Sequence, residues 1–424
     1  MNSNSILEES YIDKSNIKVD CILKCLEDKC SKYREAKGDS KVVKINTFDV
    51  SNGNGYVSRI LKTTIFFDDI KKEPFICVIK IPSAENFVKL FSGTTGKFDE
   101  DWECMKLKSL VMFHNNELKF YKKMSQKIGE MALPLCYGGF DIIIGSQDGA
   151  IIMEYLTSSS GCISSHETLN IFQVQSVLNE LLKLHVYSIT TGKQKKKIFK
   201  HKYGKEHSKL YVSLFNSHWE SIKNVLPEQL INELDGTYKK YIEHYINIYH
   251  YYIYKLPYIS GNYSVLCHGD LWINNLMYKR NLKGCLTNDI YAIIDWQTVY
   301  EGSIGVDLAR LLVQCTSPED RHEVETNLLP KYYEDFKKNS SLNDKDFNMT
   351  YDMFIHNYNI CLIDQAFHNI IMISLLITEI QKNENDYNFN AKKEALCLRL
   401  YCNLKDAFEK LEKIGTEFLN EIKI

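Results

Sequence analysis

The stretch that most constrains this chain runs from Val265 to Asn275, V-L-C-H-G-D-L-W-I-N-N, and resumes from Tyr291 to Gln297, Y-A-I-I-D-W-Q. An apolar approach delivers His268, Gly269 and Asp270 into a turn, Asn275 follows five residues after the aspartate, and a second apolar run ends abruptly at Asp295. Asn275 to Tyr278 and Ile290 to Ile294 read as short strands around an interval rich in Asn, Lys and Gly, so a hairpin there would carry Asp295 back beside Asn275. Phosphoryl transfer from ATP needs few protein groups: one carboxylate to orient the attacking hydroxyl, and oxygen ligands to hold Mg²⁺ against the phosphates. Asp270, Asn275 and Asp295 supply that set, with His268 beside them as a further catalytic candidate. Either piece alone is commonplace on a loop or a strand end; their order and separation carry the reading.

These stretches, with the E-G-S-I-G-V-D-L-A-R-L-L that follows, resemble the ecdysteroid kinase-like family, also called CHK kinase-like proteins. Its relatives are the choline kinases and aminoglycoside phosphotransferases. The likeness runs from about Asp49 to the C terminus. It implies an α+β, two-lobed protein kinase-like fold, with a small antiparallel-sheet N-lobe carrying one key helix and a larger, mostly helical C-lobe. We expect residues 1–40 as a helical extension packed on the N-lobe, 41–155 as the nucleotide-binding N-lobe, and 156–424 as the C-lobe with the catalytic loop and substrate pocket. The implied cofactors are ATP and Mg²⁺, the latter held by Asn275 and Asp295. The implied acceptor is a small-molecule alcohol, of an ecdysteroid-like or other lipophilic kind.

Ser10 to Ala36 has apolar residues at helical spacing and reads as one amphipathic helix. Lys44 to Val50 and Ile60 to Phe67 read as strands flanking S-N-G-N-G-Y-V-S, whose Gly53, Gly55 and Ser58 form a turn that can approach phosphate oxygens closely. Two glycines in a hairpin turn are a weak signal on their own, but a lysine-bearing strand lies downstream. In Pro74 to Ile81, P-F-I-C-V-I-K-I, Lys80 interrupts an apolar run, and a buried charge is costly unless paired. ATP phosphates and a carboxylate from the next helix are its natural partners. Glu117 is the first candidate and Glu103 the second. Phe140 to Ile144 and Ala150 to Met153 flank a G-S-Q-D-G turn, and by resemblance the main chain of Glu154, Tyr155 and Leu156 forms the hinge that meets adenine.

The second half reads as helical. Ile171 to His185 follows the 3.6 period, with Ser164 or Ser165 available as a cap and His185 as a packed histidine. Tyr238, Tyr241, Tyr245, Tyr249 and Tyr252 form a stripe that is either core or the wall of an apolar pocket. Asp307 can cap the helix it precedes, and in the resembled fold it braces the catalytic loop. Met353 to Ile377 and Lys392 to Leu419 are further helices, with Asp364 and His368 one turn apart. The basic stretch Lys193 to Lys209 reads as a solvated loop.

Composition removes other classes. A formal net charge of −2 over 424 residues argues against a nucleic-acid binder. Thirteen scattered cysteines without a C-x-x-C pair suit reduced thiols, and no basic-then-apolar leader opens the sequence, so a cytoplasmic protein is expected. The longest apolar run, Ile370 to Ile377, is too short to span a bilayer. Two rival readings remain: a non-catalytic nucleotide-binding pseudokinase, and a protein kinase. Against the second, the D-F-G and A-P-E signatures are absent and little room separates Asp295 from Asp307. Against the first, base, metal ligands and lysine are all present.

Overall fold

Alternation of inward apolar and outward polar side chains builds one antiparallel sheet. In the computed structural model, which describes residues 10–50, 57–84, 100–191, 199, 205–340, 346–381 and 388–422, its strands are β1 (Val42–Asp49), β2 (Ser58–Phe67), β3 (Phe75–Pro82), β4 (Cys136–Phe140) and β5 (Ala150–Glu154). They are ordered β1-β2-β3-β5-β4. Along β2, Leu61, Thr63, Ile65 and Phe67 are buried on one face, the period-2 signature of a strand with one covered side. Lys80 lies on central β3, opposite Ile60 of β2 and Ile151 of β5. β4 differs from expectation, ending at Phe140 rather than beginning there. Ile143 and Ile144 are exposed, so no burial holds them in the sheet, and the chain closes a turn with Ile143 N–H donating to Gln147 O.

The N-terminal helix is two helices, Val19–Lys29 and Ser31–Lys37. Cys30 between them takes extended backbone, and its Sγ accepts the Tyr33 N–H at 3.3 Å, capping the second helix. Ile22, Leu26 and Tyr33 share one core with Leu61, Ile65, Cys77 and Ile79 of the sheet. The long helix Glu100–Lys123 completes this part.

Chain contacts divide the protein into two units, Met1–Gly129 with Leu133–Ser160 and Ile294–Thr298, and Glu130–Ala132 with Gly161–Ile293 and Val299–Ile424. The first carries the antiparallel sheet and the second is larger and mostly helical, as expected for the α+β class. In the second, β7 (Ser264–Cys267) pairs with β10 (Tyr300–Ser303). β8 (Leu276–Arg280) and β9 (Leu286–Ile293) form the expected hairpin, Leu276 opposite Ile293, with β6 (Ser160–Cys162) alongside.

Ile171–Thr191 begins at neither Ser164 nor Ser165. Asn170 Oδ1 accepts the Gln173 N–H at 2.9 Å while Gln173 Oε1 accepts the Asn170 N–H at 3.0 Å, a reciprocal capping box. Gly305–Cys315 is buried at every position and packs on Tyr351–Gln381 so closely that a Cβ on Gly305 would lie 2.4 Å from the Asn357 carbonyl oxygen. Tyr351–Gln381 is long and apolar enough to cross a membrane by length and composition, but 78% of its most apolar stretch is buried within the protein, as in a core helix. The tyrosine stripe spans Glu228–Ile242, Tyr245–His250 and a π turn at Tyr251–Lys255. All five tyrosines are buried, so the stripe is core.

Candidate active site

In the first unit the buried lysine has found its carboxylates. Lys80 Nζ lies 2.6 Å from Glu117 Oε2 and 2.5 Å from Asp295 Oδ1. The choice between Glu117 and Glu103 is thereby settled for the ion pair: Glu117 sits on the inward face of Glu100–Lys123 and is 1% exposed. Burial alone would lower the Lys80 pKa; Asp295 and Glu117 outweigh it and hold the ammonium above its ordinary range. Burial likewise drives the Glu117 carboxyl up, with Lys80 opposing it. When both carboxylates are ionised the trio carries net charge −1, and the Asp295 side chain, 27% exposed, is the part open to a cation.

Asp295 reaches this position through an unusual backbone. Its φ of +66° is left-handed, a conformation that costs a non-glycine residue about 1 kcal/mol or more. The next residue anchors the bend: the Trp296 ring, fully buried, stacks on Phe120 with centroids 4.0 Å apart and planes 5° from parallel. Phe120 lies one turn beyond Glu117 on the same helix, so the D-W pair ties Asp295 to the helix that supplies the other carboxylate. Trp296 was not singled out in the sequence; an aromatic directly after a strand-terminal aspartate was the available signal.

Ser58 opens β2 and is buried opposite Pro82. Gly53 and Gly55 lie outside the described residues, as does most of the basic stretch from Lys193. Glu154 ends β5, its N–H donating to Leu135 O at 3.0 Å; Lys62 sits over the Tyr155 ring at 4.8 Å; the Leu156 carbonyl accepts from Ser159 and Ser160 N–H groups.

In the second unit the H-G-D turn is held from below. Asp307 is fully buried in the first turn of Gly305–Cys315, and its Oδ2 and Oδ1 accept the N–H groups of His268 at 2.6 Å and Gly269 at 2.9 Å. It braces the loop and does not cap the helix, which has no side-chain cap. Burial pushes its pKa up, partly offset by His268 and these N–H bonds. Gly269 has φ +81°, which a side chain would strain. The buried His268 ring accepts the Asp270 N–H at its Nδ1, 3.2 Å, which places it as a support for the loop. Asn275 Nδ2 donates to the Asp270 carbonyl at 2.8 Å. That bond fixes the amide so that its Oδ1 is the atom left to act as a ligand. The Asp270 carboxylate is 23% exposed and is ion-paired through Oδ1 to Arg310 Nη2. Arg310 was not anticipated. Its signal was a second charge, one turn after Asp307, in a helix with no other charged residue.

Asp364 is buried, accepting from Tyr245 OH at 2.7 Å and Gln365 Nε2 at 2.9 Å, with His368 Nδ1 at 3.4 Å. His185 is a buried core histidine against Tyr332 OH at 2.7 Å. Among the described residues no group of three or more His, Cys, Asp or Glu could hold a metal unaided.

A profile of the DUF1679 family, described as "Uncharacterized oxidoreductase dhs-27", matches residues 35–413. The chain belongs to that family. Within it, dhs-27 of Caenorhabditis elegans is 28% identical over 335 residues, covering 76% of this chain and 39% of that protein. The chain thus matches well under half the length of that relative. An "uncharacterized kinase-like protein", D1044.1 of Caenorhabditis elegans, is 30% identical over 95 residues, 22% of this chain and 24% of that protein. Among solved structures, a choline kinase from Cryptosporidium parvum aligns over 94% of this chain and 97% of its own at 13% identity, with a TM-score of 0.45.

Proposed function

We propose that this chain is an ATP- and Mg²⁺-dependent phosphotransferase that moves the γ-phosphate to a hydroxyl of a small molecule. The observation that carries the reading is the buried Lys80 between Glu117 and Asp295. A purely structural role explains it poorly, because a buried lysine with two carboxylates rarely gains stability over apolar packing. A lysine positioned for phosphates beside a carboxylate open to a cation has a chemical use.

In this reading Lys80 binds the nucleotide phosphates and Glu117 orients it. Asp295 and Asn275 are the candidate oxygen donors to Mg²⁺, which when bound would neutralise phosphate charge. Gly53, Gly55 and Ser58 are the candidates for contact with the phosphates, and the Glu154 to Leu156 main chain meets adenine. Asp270 orients the acceptor hydroxyl and takes its proton as the new P–O bond forms and the bond to ADP breaks. The acceptor class we favour, from the family resemblance, is an ecdysteroid-like or other lipophilic alcohol. The word oxidoreductase belongs to dhs-27, of which this chain matches 39%. A pseudokinase would share the Lys80 cluster and lack turnover.

Calorimetric titration with ATP, with and without Mg²⁺, tests the nucleotide half. Binding should weaken at least about tenfold in Lys80→Met, the loss of one buried charge-assisted contact. Its Mg²⁺ dependence should vanish in Asp295→Asn. Unchanged binding in both variants would remove the reading.

A further inference from the structure

We propose that Arg310 is a positioning residue for Asp270, holding its carboxylate so that one oxygen is reserved for the acceptor hydroxyl; the proposal rests on the phosphotransferase reading. Gly305–Cys315 carries two charged side chains, Asp307 and Arg310, one turn apart on an otherwise apolar or amide-bearing buried surface. Both are aimed at the same loop. Asp307 takes the backbone N–H groups of His268 and Gly269, and Arg310 takes the side chain of Asp270.

The guanidinium is itself fixed. Nη1 donates to Gln365 Oε1 at 3.0 Å, and Gln365 is locked in turn, its Nε2 on Asp364 Oδ2 at 2.9 Å and its carbonyl accepting Gln314 Nε2 at 3.3 Å. Asp364 is tied to Tyr245 OH at 2.7 Å. A chain of buried polar contacts therefore runs from the Tyr351–Gln381 helix to Oδ1 of Asp270. With Oδ1 committed, rotation of the carboxylate is arrested and Oδ2 is the oxygen left for substrate.

Stability alone does not account for this arginine. Its Nε is buried without a partner among the described residues, a cost that an apolar side chain would avoid. The charges around it are Asp270 and His268 on the loop, Asp307 on its own helix, and Asp364 and His368 on Tyr351–Gln381, with the Tyr211 phenol of Lys205–Lys223 also within electrostatic reach of Asp270 and Arg310. The acceptor O–H proton passes to Oδ2 while the acceptor oxygen forms its bond to phosphorus and ADP leaves. Arg310 neither receives nor donates a proton.

The test is steady-state transfer from ATP to the best acceptor by wild type, Arg310→Met, Arg310→Lys and Gln365→Met, with thermal unfolding of each. Misplacing a reacting group by about 1 Å costs on the order of 100-fold, so kcat in Arg310→Met should fall roughly 10- to 100-fold while KM for ATP stays within about twofold. Arg310→Lys and added guanidinium ion should each restore part of it. Gln365→Met, which frees the far end of the guanidinium, should lose a smaller factor and serves if Arg310→Met does not fold. Arg310→Met or Gln365→Met at full kcat overturns the proposal alone. Loss of ATP affinity in step with kcat, without guanidinium rescue, also overturns it. Wild type inactive towards every acceptor removes the phosphotransferase reading and the proposal with it.

Discussion

Replacing Asp307 by Asn keeps the shape of the side chain and removes its charge, which isolates what the carboxylate does for the catalytic loop. In the native structure each oxygen accepts one N–H, from His268 and Gly269. Such charge-assisted bonds contribute about 1.5–3 kcal/mol each. The asparagine can accept only one; its NH₂ then faces the other N–H, leaving two buried donors without acceptors. Relief of the burial penalty that raises the Asp307 pKa returns part of this. The net loss is about 2–4 kcal/mol for local opening of the H-G-D turn, equivalent to roughly 30- to 1,000-fold faster amide exchange. Hydrogen–deuterium exchange by mass spectrometry on peptides covering Ser264 to Asp270 measures it directly. Exchange within about threefold of wild type, in a protein whose other peptides are unchanged, would show that the brace does not hold the loop.

Trp296→Ala should cost about 3–5 kcal/mol in thermal unfolding and weaken ATP binding, with Trp296→Phe recovering part of both, since the stack on Phe120 anchors Asp295. Acid should destabilise the fold through two histidines kept neutral by burial, His114 pushed down to about 4 and His185 to about 3. Below pH 6.5 the unfolded chain takes up protons that the folded chain refuses, so stability present above that pH falls as pH drops towards each folded value. Each pH unit separating the folded from the unfolded pKa is worth about 1.4 kcal/mol, and urea midpoints at pH 7, 5.5 and 4.5 should decline less steeply in His185→Asn. Arg399, 4% exposed and with its Nε unpartnered among the described residues, has its pKa lowered to about 10 by burial. Arg399→Met should therefore raise stability by about 1–3 kcal/mol in urea denaturation, and a loss of that size would mean the arginine has a partner in solution.

What could be read from the chain was set by cost. Lys80 within P-F-I-C-V-I-K-I announces a need for an anion, because a charge in a central strand is too expensive to leave unpaired. The H-G-D turn and the D-W strand end, each commonplace alone, are legible together through their order and separation. Periodicity could not choose between Glu103 and Glu117, since both occupy one helix and the choice depends on which turn faces β3. The split at Cys30 was invisible because cysteine is compatible with a helix; its Sγ cap forms only in three dimensions. The N-x-x-Q box at Asn170 was legible, although the serines upstream offer the more familiar cap. Arg310 was missed because one arginine in a helix is ordinarily a snorkelling surface charge. Only the neighbouring helix with Gln365 and Asp364 shows that this one points inward.

The most direct test of the central claim is transfer of labelled γ-phosphate from ATP with Mg²⁺ to a panel of steroid alcohols, choline, ethanolamine, aminoglycosides and a generic protein, with wild type beside Asp270→Asn. Transfer to one class of small alcohol, lost in the variant, is the predicted result and names the acceptor. Transfer to the generic protein as fast as to any alcohol, or transfer that survives in Asp270→Asn, would contradict it.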